Sequence, residues 1–169
     1  MSGDFSALDR LTARVPPPAE PRRRALPWDD FFAALGTRLP NDFVAFIDRY
    51  GECQFANWLG IADPRRDTPE ECRWLARRMH GYGFLGMPLW PEPEGFLRWG
   101  TTIDGDEFGW MTVGEPENWP VMLVLHGGAN LLQEETMTEW LAGWASGDRY
   151  DNSGFATGGE GHSLMCAPW

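Results

Sequence analysis

The chain has 169 residues, 43% of them hydrophobic and 14% aromatic, with ten Trp, three Cys and a net charge of −11. That length and apolar content suit one folded domain with a buried core and exclude a globally disordered chain. No apolar run reaches the ~18 residues of a membrane span.

The first element, "FSALDRLTARV", predicts a short helix with Phe5, Leu8 and Leu11 on one side. "VPPPAEPRRRALP" (15–27) then reads as an extended, solvated, Arg-bearing linker that could touch the acidic half of the chain. "PWDDFFAALGTR" opens on Pro27 with acids in its first turn, and Gly36 supplies a left-handed stop. In "LPNDFVAFIDRYG", Phe43, Phe46, Ile47 and Tyr50 fall on one helical face before Gly51. "CQFANWLGIADP" is a strand candidate, closed by Asp63-Pro64. "TPEECRWLARRMHG" has a helix start in Thr68 (N-cap), Pro69 and Glu71, with Cys72, Leu75, Ala76 and Met79 facing a core.

From Tyr82 the pattern changes to short apolar runs between Gly, Pro and Asn. "GFLRWGTTI", "EFGWMTV" and "WPVMLVLHG" read as consecutive antiparallel strands, and "ANLLQEE" as an edge strand. Asp104-Gly105 predicts a type I′ hairpin turn, which places Asp106 and Glu107 near a solvent-exposed tip. "TMTEWLAGWASG" closes the series as a helix with a capping box of Thr136 and Glu139 and a buried side of Trp140, Leu141 and Trp144. The expected organisation is an arm and linker over 1–26, a domain over 27–147 and a Gly-rich tail or loosely docked arm over 148–169. Helices, then a strand meander, then a helix predict an α+β fold, with an antiparallel or mixed sheet of about five to six strands and the helices on one side.

Acidity is concentrated in residues 83–147, which hold ten acidic residues against Arg98 alone. Such a segment repels nucleic acid phosphates and attracts a basic protein. Cys53, Cys72 and Cys166 are odd in number and show no CxxC spacing, a usage that fits reduced thiols in a cytoplasmic protein. The first residues lack the basic start and apolar run of a secretory signal. All fourteen basic residues are Arg, as in a GC-rich, bacterial genome.

"DGDEFGWMTVGE" (104–115) partly matches a calcium loop, with Asp104, Asp106, Gly109 and Glu115 at loop positions 1, 3, 6 and 12. Phe108 at position 5 has no oxygen to offer, and the flanks are strand-like. There is no GxSxG, and Ser163 beside His162 lies in the Gly-rich tail. His80 and His126 end elements, as surface or capping residues do. Convergence of Glu92, Glu94, Asp106 and Glu117 into glycosidase carboxylates stays open at the level of sequence.

In order, "LPNDFVAFIDRYGE" (39–52), "LRWGTTIDGDEFGWMT" (97–112), "ENWPVMLVL" and "TMTEWLAGWASG" resemble the motif series of the SUKH superfamily. Within it the nearest likeness is to the branch named after the killer-toxin-resistance and cell-wall-assembly regulator. The resemblance covers about residues 27–147. It implies an α+β fold and a non-enzymatic role, without cofactor or metal, in which bacterial members bind and neutralise toxins, many of them nucleases. The expected partner is therefore a protein, a cognate and possibly basic toxin, and not nucleic acid or a membrane. The acidic segment nominates Asp104, Asp106, Glu107, Glu115 and Glu117 as contacts, with Trp119 as an aromatic anchor. A regulatory or scaffold module using the Arg-rich linker and tail is the alternative, and a small metal-dependent hydrolase the third.

Overall fold

The computed structural model describes residues 6–65, 68–72, 86–147 and 165–168. Helices α1 (Ser6–Arg14), α2 (Trp28–Leu35) and α3 (Asn41–Tyr50) precede strands β1 (Cys53–Phe55), β2 (Leu59–Ile61), β3 (Phe96–Thr102), β4 (Glu107–Met111), β5 (Val121–Val124) and β6 (Asn130–Gln133). Helix α4 (Met137–Ser146) and strand β7 (Cys166–Pro168) complete the order. The seven strands form one sheet in the order β6-β5-β4-β3-β2-β1-β7. All neighbours are antiparallel. The fold is therefore α+β as expected, with a slightly larger sheet.

Helix ends follow local chemistry. Gly36 ends α2 in the left-handed region, and its N–H bonds to Phe32 O. Thr136 and Glu139 make both bonds of the capping box at α4. Thr68 and Glu71 exchange the same bonds at a helical turn over 69–72, and Cys72 is buried. Leu75, Ala76 and Met79, expected on the buried side of that helix, lie outside the described residues, as do Phe5, His80, His162 and Ser163.

The helices meet the sheet through aromatic rings. Phe43 of α3 lies edge-on to Trp110 at 5.1 Å, and Phe46 sits 5.9 Å from Phe55. Trp140 and Trp144 of α4 pack on Phe108 and Phe55 at 5.0 and 6.3 Å. These rings share one face of the sheet because Phe108 and Trp110 alternate with Glu107 and Gly109. A bulge between Arg98 and Gly100 makes Trp99 the extra residue, and its ring joins Phe108 and Trp110. Burying each such side chain stabilises the fold by about 1.5–3 kcal/mol.

Several expectations change. Residues 6–26, the described part of the expected arm, do not lie outside the domain. Leu8, Leu11, Val15 and Leu26 belong to the common core, Tyr50 Oη donates to Val15 O at 2.6 Å, and Arg49 bonds Asp9 at 2.7 Å. The "RRR" stretch is extended, and it is fastened to the body of the domain. Arg22 O accepts from Glu52 N, Arg23 Nε donates to Asp48 O, and Arg24 pairs with Glu52 at 3.1 Å. Gly51 permits this docking, because a Cβ there would collide with the Arg22 backbone.

"CQFANWLGIADP" is a hairpin, not one strand: Ala56 and Asn57 both take positive φ and fold β2 back on β1. The β3–β4 turn is not type I′. Gly105 alone has positive φ, and Gly105 N bonds Thr102 O while Thr102 N bonds Asp106 O. Ile103 thus adds a third loop residue, the arrangement of a type I turn closed by a left-handed glycine. Residues 165–168 of the tail dock as an edge strand against β1.

Candidate functional site

An antiparallel meander sends alternate connections to opposite ends of the sheet. The β1–β2, β3–β4 and β5–β6 turns crowd one end. Residues 88–95, before β3, and 112–120, after β4, emerge at the other, because Phe96 pairs with Met111. The candidate residues are divided between these ends. Asp104, Asp106 and Glu107 stand at the turn end, and Glu115, Glu117 and Trp119 at the other. β4 lies between them, and its five residues at ~3.3 Å each rule out one continuous patch.

At the turn end only Asp104 is an exposed acid of the expected three. Its Oδ2 accepts from Trp58 Nε1 at 2.7 Å. Asp106 and Glu107 are 4% and 5% exposed, which corrects their expected place at a solvent tip. Asp106 Oδ1 accepts from His126 N at 2.9 Å and faces His126 Nδ1 at 2.7 Å, while Oδ2 accepts from Thr102 Oγ1 at 3.1 Å. This carboxylate ties the β3–β4 turn to the β5–β6 turn, so the buried group is satisfied internally. Glu107 pairs with Arg98 Nη1 at 2.9 Å, on the sheet face turned away from α3 and α4. Both acids have structural work that a reversal of charge would undo.

The other end gathers more exposed charge. Thr112 N and Oγ1 both donate to Gly95 O, at 3.0 and 2.8 Å, and so stitch the two loops together. Trp90 and Trp119, one from each loop, face each other at 6.4 Å. Around this pair Glu92, Glu94, Glu115 and Glu117 are all exposed. Trp119 itself is buried, with Nε1 donating to Gly114 O at 3.0 Å, so it serves as a wall and not as a protruding anchor. Trp90 is the half-buried ring at this end. The Glu117 carboxylate also accepts from Asn41 N at 3.1 Å, at the positive end of the α3 dipole.

Glu92 and Glu94 were thus absent from the contacts nominated by sequence, and only the loop pairing brings them to the same end of the sheet as Glu115 and Glu117. The repeated Pro-Glu of "WPEPEG" is the signal that could have found them, since Pro favours turns and keeps its neighbours out of a helix. Asp106 does not join this group, so the glycosidase set does not converge. The calcium-loop positions are spread along β4, with Asp104 at one end of the strand and Glu115 beyond the other. Among the described residues, no group of three or more His, Cys, Asp or Glu is arranged to hold a metal ion. No described helix is long and apolar enough to cross a membrane.

No protein-family model, curated protein or solved structure matches this chain.

Proposed function

We propose that the protein is a non-enzymatic binding protein of the immunity type, which captures a basic toxin through the acidic end of its sheet. The observation that carries this reading is the cluster of Glu92, Glu94, Glu115 and Glu117, exposed on two loops that Thr112 and Gly95 lock together. Locked loops present charge without the entropy cost of ordering it on binding. Like charges held close together raise a local potential that steers a cationic surface and speeds association. Trp90 gives the patch an apolar centre of the kind that binding interfaces favour. The resemblance of residues 27–147 to the SUKH superfamily supports the same reading, with a nuclease-type toxin as the partner and the cytoplasm as the place of encounter.

A regulatory scaffold acting through the Arg-rich linker is less well served, because Arg23 and Arg24 are already engaged within the domain. The test is co-expression with each small basic protein encoded beside its gene. Growth should be arrested by one of them and restored by this protein. Replacing Glu92, Glu94 and Glu115 together with Lys should abolish the rescue while leaving the circular dichroism spectrum unchanged. Rescue that survives the triple replacement would place the binding surface elsewhere.

A further inference from the structure

β7 is the outermost strand on its side of the sheet and has only three residues. Its register sets Cys166 opposite Phe55 and Pro168 opposite Cys53. Residues two apart on a strand share a face, so Cys53 and Cys166 are diagonal neighbours on the same face of the β1–β7 ladder. Met165 and Pro168 are exposed, whereas Cys166 is the side chain of this strand that packs against the core. Cys53 is fully buried. A hydrogen bond with the Cys166 thiol, together with burial, pushes the Cys53 thiol far above the ordinary range. The register therefore places the two cysteines on one side of the ladder, diagonally across from each other.

We propose that Cys53 and Cys166 form a redox clasp that covalently fastens the C-terminal strand to the edge of the sheet when a disulfide oxidant such as glutathione disulfide is present. Cys166, the half-buried member, reacts first. Its sulfur attacks one sulfur of glutathione disulfide, losing its proton and releasing one glutathione thiol. The Cys53 sulfur then displaces the second glutathione from Cys166, and its proton passes to the departing glutathione sulfur. Two protein thiols are oxidised to one disulfide, and one glutathione disulfide is reduced to two thiols. Diagonal neighbours stand further apart than disulfide Cβ atoms, so the bond draws β7 inward by about 2–3 Å. A three-residue edge strand can make that shift. Cys72 sits in a different part of the chain and takes no part.

Incubating the full-length protein with glutathione disulfide and digesting it without reductant tests the clasp. A peptide linked through Cys53 and Cys166 should appear, and Cys72 should remain alkylatable. Hydrogen exchange at the Cys166 and Ala167 amides should slow by at least about tenfold on oxidation, since the strand can then no longer open locally. Cys166→Ser should abolish both changes, and Cys72→Ser should leave both intact. Three alkylatable thiols after oxidation, a linkage through Cys72, or a stable mixed disulfide at Cys166 would each overturn the proposal. The Cys166 variant guards against the case in which Cys53→Ser, being in the core, fails to fold.

Discussion

Asp42 joins two helices with one carboxyl group. Its Oδ1 accepts from Phe43 N at 2.8 Å, and its Oδ2 accepts from Thr138 N and Oγ1 at 2.9 and 3.1 Å. It thereby connects the N-terminal turns of α3 and α4. Burial raises its pKa above 3.8, and the bonds from Thr138 and Phe43 oppose that rise without cancelling it. A carboxyl group with a raised folded-state pKa binds its proton more readily when folded, so its contribution to stability declines as pH rises through the window between the two values. Asp42→Asn removes that component. Wild type should lose stability relative to Asp42→Asn as pH rises from about 4 to about 7, as read from paired urea melts. A difference that stays flat, or grows in favour of wild type, would contradict this account. The acids at the turn end permit a second comparison. Asp106→Ala strands His126 N and Thr102 Oγ1 and should cost about 2 kcal/mol, whereas Asp104→Ala on the surface should cost no more than ~0.5 kcal/mol. Equal losses in urea titration would show that the buried carboxylate does not bind the turns together.

At the level of elements, the helices and most strands are legible because their signals are local. Phe43, Phe46, Ile47 and Tyr50 repeat at helical spacing, and all four are buried. Thr136 and Glu139 mark the start of α4 within four residues. What escaped notice depends on conformations that residue type disfavours. Ala56 takes positive φ, where alanine is strained, so the β1–β2 turn carries only Asn57 as a cue. Burial of Asp106 and Glu107 was equally hidden, because their partners His126 and Arg98 stand twenty and nine positions away. The role of α1 was hidden for a third reason: its apolar stripe of Leu8 and Leu11 is short, and its packing sites on α3 and α4 are distant in sequence. Leu11→Ala should therefore destabilise the whole domain by about 2–4 kcal/mol and lower the single melting transition. An unchanged melting temperature would restore the view of residues 1–26 as a separate arm. Deleting that segment to probe partner capture would confound binding with unfolding.

For the whole molecule, the uneven charge of the sequence acquires a location. The segment over 83–147 is acidic throughout, yet Asp106 and Glu107 are spent inside the fold, and Glu139 caps α4. The meander sorts what remains, leaving Asp104 at the turn end and placing Glu92, Glu94, Glu115 and Glu117, with Glu134 and Glu135 after β6, at the opposite end. Sequence could show that the charge existed, but not which carboxylates the fold would consume. The result is a rigid acidic end with an aromatic centre, and its attraction for a cationic partner should be screened by salt. On the proposed function, this end makes the contact with the partner. The most direct test is the affinity of the captured partner for wild type and for the Glu92→Lys, Glu94→Lys, Glu115→Lys variant, measured across a range of salt concentrations. The predicted result is at least about a hundredfold weaker binding at low salt, mainly through slower association, with the gap narrowing as salt rises. Equal affinity of the two proteins at low salt would contradict it.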